Sequence, residues 1–386
     1  TGIDTNHPDF AGRILYESCF LATGQCTGGA HPAEDDNGHG TNVAGIAAGG
    51  GTVAPIGVAP AVQIAAYKIL SANANGNLSD WIAALDDIIA NHPEVDLVNM
   101  SLQSDTGCFG GPMETAVTML RQLGVATFIA TGNHGRKNSF TIPACIEDGL
   151  SVGASYDTDI GLFDWSNVCT DPSTAVDQVA CWSDSADSID LLGPGALITA
   201  AGMGGGTSTF RGTSQATPHA LGVAALMLSG TPGLSVDELE ARLEATGKLL
   251  TDDLDDNVPT TFRTTPRIDA RVALLTGGDD ADGDGCLTSE ELGADPVLGG
   301  LRNPLNPWDF YDVTGDGVVN LLDDVFAVVA AFGPAEGEHY DAALDRSPPP
   351  PGAFPWDLGP PDGMITIVDD IIAVAAQFGH HCSGAP

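Results

Sequence analysis

Basic residues are scarce in this chain. Thirteen lysines and arginines stand against 52 aspartates and glutamates among 386 residues, which gives a formal net charge of −39 at pH 7. Nucleic acid is therefore a disfavoured partner, because binding it needs positive charge, and anionic membrane surfaces are disfavoured for the same reason. The chain also lacks an uninterrupted apolar run of about 18 residues, so we expect no transmembrane helix.

Cysteine is present in an even number, eight residues in all. That number favours an oxidised, secreted protein, although free thiols in a cytosolic protein remain an alternative. The sequence alone does not fix the connectivity. The neighbouring cysteines make Cys19–Cys26 and Cys169–Cys181 the most plausible pairs, while Cys108 could reach Cys145 and Cys286 could reach Cys382.

Apolar spacing over residues 1–275 predicts strands that alternate with helices. Strands are expected over Val62–Leu70, Val95–Ser101 and Val125–Ala130, and helices over Leu78–Asn91, Pro112–Leu123, Ser214–Ser229 and Ser235–Thr246. Such alternation is typical of an α/β fold with a mostly parallel sheet covered by helices on both faces. Ligands of these folds bind outside the carboxyl ends of the strands.

Three segments carry residues suited to nucleophilic catalysis. Ser214 lies in GTSQATPH, where a glycine turn opens an apolar helix, and His39 lies in GHGTNVAG between two glycines. Asn133 ends ATGN, directly after a buried strand, where its amide could donate to an oxyanion. Alone, a Gly-Thr-Ser is usually a helix cap and a His-Gly is usually a loop. Their occurrence together favours catalysis.

In this order, the three segments resemble the subtilisin-like serine proteases. TGIDTNHPDF at the start, VNMSL at Val98–Leu102 and RIDA at Arg267–Ala270 extend the resemblance over about residues 1–275. It implies a secreted serine endopeptidase with Ser214 as nucleophile, His39 as base and Asn133 as oxyanion donor. It further implies that Ser101, Leu102 and Gln103 pair with the substrate backbone, and that Ala130, Thr131 and Gly132 wall the pocket for the side chain before the cleaved bond. The family commonly has glycine where Gln103 stands.

The acid of the triad departs from the family pattern. The resemblance places an aspartate immediately before a Thr-Gly pair, and this chain begins at Thr1-Gly2. Asp4 follows the turn and does not match that position. With no initiator methionine, signal peptide or pro-segment in view, we expect a fragment of a longer precursor, with activity impaired by loss of the aspartate.

The last 111 residues, 276–386, are more acidic than the rest and predict a separate calcium-binding module. Residues 280–291 have the spacing of an EF-hand loop, with a glycine at position 6 and a bidentate glutamate at position 12. Residues 312–323 repeat the arrangement and resemble a dockerin-type loop. The alternative for each is an acidic turn without an ion. The predicted ligands of structural Ca²⁺ are Asp280, Asp282, Asp284, Cys286 and Glu291 in the first loop, and Asp312, Thr314, Asp316, Val318, Asn320 and Asp323 in the second.

This module contains an internal repeat. Leu321–Gly333 recurs as Ile367–Gly379, 46 residues later. Helical spacing predicts that Val325, Phe326, Val329 and Phe332 share one packed face, with the equivalent residues of the second copy on another. By alignment, the loop before the second copy is degenerate, because Leu358 and Pro360 fall at ligand positions, although Asp357 could substitute after a one-residue shift.

Two functions from different classes follow from these motifs. The first is a secreted serine endopeptidase acting on protein or peptide substrates. The second is a non-catalytic, calcium-dependent binding or assembly component built on a protease scaffold. The dockerin resemblance implies a cohesin-like partner, but dockerins usually space their repeats more tightly than this chain does.

Overall fold

The computed structural model divides the chain into two compact units, Thr1–Ala273 and Leu274–Pro386. The described residues are 1–21, 26, 30–104, 106–108, 110–252, 261–275, 284, 286–291, 297, 300, 302, 306, 308, 310–313, 317–335, 337, 339–349, 356 and 358–382. Of these, residues 289, 322, 323, 368 and 369 are described for the backbone only. No helix within these residues is long and apolar enough to cross a membrane.

The first unit contains six α-helices and twelve strands among its described residues. The helices are α1 (His39–Ala48), α2 (Leu78–Asn91), α3 (Pro112–Gln122), α4 (Thr213–Gly230), α5 (Val236–Ala245) and α6 (Ala270–Ala273). The strands are β1 (Ile14–Cys19), β2 (Ile64–Lys68), β3 (Leu97–Met100), β4 (Ala126–Ala130), β5 (Leu150–Ser155), β6 (Phe163–Trp165), β7 (Cys169–Asp171), β8 (Leu191–Pro194), β9 (Ile198–Gly202), β10 (Gly206–Phe210), β11 (Lys248–Thr251) and β12 (Thr264–Arg267).

A mostly parallel sheet forms the centre of this unit, as predicted. Its order is β11-β12-β8-β5-β4-β3, and only the β11–β12 pair is antiparallel. Strands β1 and β2 form a separate parallel pair, and β9 and β10 form a hairpin. Because β3 and β4 are parallel, their carboxyl ends, Met100 and Ala130, meet at one edge of the sheet.

Helices cover both faces of the central sheet. Successive side chains of a strand point to opposite faces, and in β4 Phe128 packs into a cluster with α4 and α5, whereas Ile129 packs into one with α2 and α3. Both side chains are completely buried. The predicted capping box at the start of α5 is confirmed: Ser235 Oγ accepts from Glu238 N, and Glu238 Oε2 accepts from Ser235 N at 2.8 Å.

The second unit has a small core of its own. Its described helices are α7 (Thr288–Glu291), α8 (Phe326–Ala330) and α9 (Ile372–Ala376), and its short strands are β13 (Gly333–Pro334) and β14 (Met364–Ile365), which pair with each other. Its two basic residues are both buried against aromatic rings: Arg302 lies over Phe310, and Arg346 lies over Trp308 and Tyr311. These stacked contacts let a strongly acidic segment build a core around aromatic side chains.

The helical face predicted for the repeat is wrong by about one residue. Val325, Val328 and Ala331 are buried, whereas Phe326, Val329 and Phe332 are about half exposed. A π-turn at Leu321–Val325 precedes this helix, and in it Val325 N donates to Asn320 O, five residues back. A π-turn holds one residue more than an α-turn, so the face that follows it rotates. The second copy has the same turn at Ile367–Ile371.

All four expected disulfides are present: Cys19–Cys26, Cys108–Cys145, Cys169–Cys181 and Cys286–Cys382. No cysteine is free. The first three lie within the first unit and the fourth joins residues 96 positions apart in the second. Each closed loop restricts the unfolded chain, so the bridges stabilise both units.

Candidate active site

Ser214 is the second residue of α4. The helix begins after Gly212, whose φ of 144° suits glycine. Ser214 Oγ donates to Ser101 O at 3.4 Å, and Ser101 Oγ donates to Ser214 O at 2.7 Å. These two bonds hold the segment after β3 against the start of α4. The hydroxyl therefore lies at the carboxyl edge of the sheet, near the positive end of the helix dipole.

Asn133 is fixed to the same helix start from the other side. Its Oδ1 accepts from Thr213 N at 2.9 Å and from Thr213 Oγ1 at 3.1 Å. Gly132 N donates to Thr213 Oγ1 at 3.1 Å, which adds a further link from the segment after β4. Because the side-chain oxygen is engaged by Thr213, the amide group of Asn133 is oriented with its donor nitrogen away from that contact.

His39 begins α1, which lies beside α4. Gln215 Nε2 donates to Asn42 Oδ1 at 3.2 Å, joining the first turns of the two helices. The ring of His39 packs edge-on against Phe210, with 6.0 Å between ring centroids. No hydrogen bond joins His39 to Ser214, both of which are described. The two side chains thus lie at the starts of neighbouring helices with no hydrogen bond between them.

The pKa of His39 is lowered to about 4. Burial is the largest cause, the positive amino group of Thr1 is the second, and Asp35 acts in the opposite direction. Gly40, which follows His39 in α1, donates from its backbone nitrogen to Thr1 Oγ1 at 2.9 Å. This bond holds Thr1 close to His39. The backbone nitrogen of Thr1 therefore lies within electrostatic reach of the imidazole.

Two nearby aspartates are engaged in loop structure. Asp35 accepts from Thr41 Oγ1 at 2.6 Å and from the N–H groups of Asn37, Gly38 and Thr41. Burial alone would raise its pKa, but these bonds lower it to about 2. Asp4 Oδ2 accepts from Gly204 N and Gly205 N at 2.8 and 3.1 Å. Neither carboxylate is hydrogen-bonded to His39.

A cavity of about 270 Å³ lies between β2 and β3, with Thr1 and His39 among its lining residues. Its walls include Ala66 of β2, Val98 of β3 and Leu85 of α2. Within the described part of the chain, β2 pairs only with β1, and β3 pairs only with β4. Each strand therefore has unpaired backbone groups along one edge, and residues of both strands line the cavity.

The predicted substrate-binding residues lie on both sides of Ser214. Ser101, Leu102 and Gln103 follow β3 and are half-buried. Ala130 ends β4, Thr131 and Gly132 follow it, and all three are buried. Their assignment to substrate binding stays a prediction.

The predicted metal ligands fall partly outside the described residues. Asp280, Asp282, Thr314 and Asp316 lie outside them, and the side chain of Asp323 does too. In the first loop, Asp284 Oδ1 accepts from Cys286 N at 2.8 Å, and the side chain of Glu291 is completely buried. In the second, Asp312 Oδ2 accepts from Gly317 N at 2.5 Å, while Val318 and Asn320 follow in the same turn.

The structure reveals a residue that alignment of the two repeats missed. In the second copy, Asp345 Oδ2 accepts from Gly363 N at 2.8 Å, the equivalent of the Asp312–Gly317 contact. Ser347 and Gly359 form a two-way backbone bridge that closes off the residues between them. Asp345, rather than Leu358, therefore has the place of Asp312, and an insertion separates it from the rest of its loop. Asp357 lies outside the described residues.

The described residues include one cluster of three acidic side chains, Asp190, Glu240 and Glu244. One carboxylate oxygen from each lies within 4.8 Å of those of the other two. The sequence alone did not reveal this cluster, because Asp190 directly precedes β8 whereas the two glutamates belong to α5. Burial raises the pKa of Asp190 to about 6, partly offset by Ser151 and increased by both glutamates. Arg121 pairs with Glu240.

This cluster predicts a pH-dependent loss of stability. Because the folded pKa of Asp190 exceeds the unfolded value of 3.8, the contribution of Asp190 to the unfolding free energy should fall as pH rises from about 4 to 6. Asp190→Asn should remove about 1 to 3 kcal/mol of that fall. Denaturant unfolding at pH 4 and 7 measures it, with Asp86→Asn, an exposed change on α2, as control. Equal pH dependence of Asp190→Asn and the parent would contradict the assignment.

Comparison with known proteins agrees with this architecture. A model of the subtilase family matches residues 1–265, and the chain belongs to that family. It is similar to an extracellular serine proteinase of Thermus sp. (strain Rt41A), 34% identical over 245 residues, covering 63% of this chain and 52% of the relative. It is also similar to subtilisin E of Bacillus subtilis (strain 168), 31% identical over 254 residues, covering 65% and 59%.

A solved structure shows the same likeness. The crystal structure of a cold adapted subtilisin-like serine proteinase has a TM-score of 0.54 and 30% identity, covering 69% of this chain and 85% of that one. The chain spans about half the length of the first curated relatives it matches. The residues that the family model matches, 1–265, lie within the first unit of the chain.

Proposed function

We propose that the protein is a serine endopeptidase that cleaves peptide bonds through Ser214, His39 and an aspartate bonded before Thr1. The observation that carries this proposal is the convergence on the start of α4. Ser101 bonds Ser214 from one side, Asn133 bonds Thr213 from the other, and α1 brings His39 alongside through the Asn42–Gln215 bond.

The proposed reaction is acyl transfer. Ser214 Oγ attacks the substrate carbonyl carbon while His39 accepts its proton, and the carbonyl oxygen becomes an oxyanion. Asn133 Nδ2 and Ser214 N–H donate to that oxyanion. His39 then gives the proton to the leaving amine as the C–N bond breaks. In the second half, His39 accepts a proton from the water that attacks the acyl-enzyme, and it returns that proton to Ser214 Oγ as the ester bond breaks.

The acid is proposed to be the residue bonded to the nitrogen of Thr1. That nitrogen is close enough to His39 for its charge to shift the histidine pKa, whereas Asp4 and Asp35 are engaged by backbone N–H groups. The cavity between β2 and β3 would accept a parallel strand that leads into Thr1, since both strands present unpaired edges to it. An aspartate at the end of such a strand would meet the imidazole.

Active-site labelling tests the nucleophile. A fluorophosphonate should modify Ser214 in the folded protein, and Ser214→Ala should abolish the adduct. Ser229→Ala, an exposed change at the far end of the same helix, should leave labelling intact. Peptide mapping by mass spectrometry identifies the modified residue. An adduct on another residue, or none in folded protein that includes the residues before Thr1, would reject the assignment.

The second unit is proposed to bind structural Ca²⁺ through the two loops named above. Oxygen donors at these spacings suit calcium, and the carboxylate of Glu291, at position 12 of the first loop, is completely buried. Bound calcium would supply positive charge that holds the acidic loops together. A cohesin-like partner, or a role as a calcium-dependent assembly component, rests only on the dockerin resemblance.

Because the chain has four disulfides, we further propose that the protein works outside the cytosol.

A further inference from the structure

The side chain of Gln103 crosses the space between the segments that follow β3 and β4. Its Oε1 accepts from the backbone N–H of Asn133 at 3.0 Å. Its Nε2 lies 3.0 Å from Nδ1 of His134, within hydrogen-bond distance. One carboxamide thus links the end of one strand to the end of its neighbour.

The space that Gln103 crosses adjoins the nucleophile. Ser101 and Ser214 are joined by two hydrogen bonds on one side, and Asn133 is bonded to Thr213 on the other. If Ser214 attacks a peptide carbonyl whose oxygen faces Asn133, the acyl-side Cα lies between these two segments. Its side chain then points into the space between residues 101–103 and 130–133.

Gly132 shows how little room is left there. A Cβ at this position would lie 2.7 Å from Gln103 Oε1 and 2.5 Å from Asp184 Oδ2. Asp184 is completely buried, and its Oδ1 accepts from His134 N at 2.9 Å and Arg136 N at 2.7 Å. The carboxamide of Gln103 and the carboxylate of Asp184 therefore both lie close to Gly132, where they leave no room for a side chain.

We infer that Gln103 determines specificity by restricting the residue before the cleaved bond to small side chains such as glycine, alanine and serine. This inference rests on the proposed function. A larger substrate side chain would have to displace the carboxamide, which would leave the half-buried N–H of Asn133 without its acceptor. Small side chains leave both hydrogen bonds of Gln103 in place. The side chain of Gln103 thus stays in place across the pocket and limits the size of the substrate side chain that fits.

The test compares peptide substrates that differ only in alanine or phenylalanine before the cleaved bond. The protein used includes the residues before Thr1. The parent should cleave the alanine substrate with the higher kcat/KM. Gln103→Gly should raise the phenylalanine-to-alanine ratio of kcat/KM by about tenfold or more, because it opens the pocket. Gln103→Glu keeps the volume and the acceptor for Asn133 N–H, and should hold the ratio near that of the parent.

Gln103→Ala serves as a second opening variant, and melting curves of all forms check folding. The inference is overturned if the parent cleaves both substrates equally well, or if neither opening variant changes the ratio while turnover persists. Absence of hydrolysis by every form, together with absence of Ser214 labelling, would reject the proposed function itself. Turnover with an unchanged ratio would reject only the role of Gln103.

Discussion

A form of the protein with aspartate bonded directly before Thr1 should hydrolyse peptides on the order of 10⁴-fold faster than the same form with asparagine there. The magnitude is the known cost of losing the acid in triads of this kind, including those of this family, and not a value obtained from this structure. The carboxylate would fix the tautomer of His39 and stabilise its imidazolium. Asparagine has nearly the same shape but lacks the charge, and its amide can hold the wrong tautomer of His39, so it removes both contributions without changing the packing.

The pH dependence of the same pair gives a second readout. The amino group of Thr1 helps to lower the pKa of His39 to about 4. A peptide bond to Thr1 removes that positive charge, and an aspartate adds a negative one, so both changes raise the histidine pKa. Because His39 must be unprotonated to act as base, the acid limb of kcat/KM should lie at higher pH in the aspartate form than in the asparagine form.

Asp4→Asn in the aspartate form is the matched control. Asp4 is bonded to Gly204 and Gly205, so its loss should affect stability more than turnover. Equal rates for the aspartate and asparagine forms would mean that another carboxylate orients His39. A large loss of turnover in Asp4→Asn, with a normal melting temperature, would point to Asp4 itself.

Features set by short stretches of sequence were predictable. The capping box of α5 depends on Ser235 and Glu238, three residues apart, and the structure has it. Helix α2 spans Leu78–Asn91 as its apolar spacing predicted. The parallel sheet followed from the alternation of strands and helices, because parallel strands need long crossovers. The four cysteine pairs were also among the plausible combinations.

Features set by a local departure from α-helical geometry, or by contacts distant in sequence, were not predictable. The π-turn before Phe326 rotates the helix, and apolar spacing alone contains no sign of it. Asp345 takes the place of Asp312 only because Ser347 and Gly359 bridge an insertion. In the site, the three motifs indicated the chemistry of Ser214, His39 and Asn133. The reach of Gln103 to Asn133 needed the paired ends of β3 and β4, since residues 103 and 133 lie 30 positions apart.

Removal of calcium should unfold or loosen the second unit while the first keeps its structure. The two proposed loops crowd carboxylates together, and the unit contains only two basic residues, both buried and stacked on rings. Without an ion, repulsion among the carboxylates destabilises the fold. Ions that bind only the folded form stabilise it by mass action, by about 2.7 kcal/mol per site at 100 times Kd. Two sites would give about 5 kcal/mol, a large part of the stability of a small domain.

Hydrogen exchange of the whole chain measures this effect by region. With a chelator, backbone amides between residues 317 and 382 should lose protection, while those of β4 and β5 should keep it. Calorimetric titration should detect at least two calcium sites. Glu291→Gln should remove the first and Asp312→Asn the second. Glu290→Gln, the same change of charge one residue away, should leave both, because its Oε2 serves as acceptor for Leu287 N and glutamine can still accept. Protection insensitive to chelator, with no heat on adding calcium, would leave the second unit as an acidic domain held by its aromatic core and the Cys286–Cys382 bridge alone.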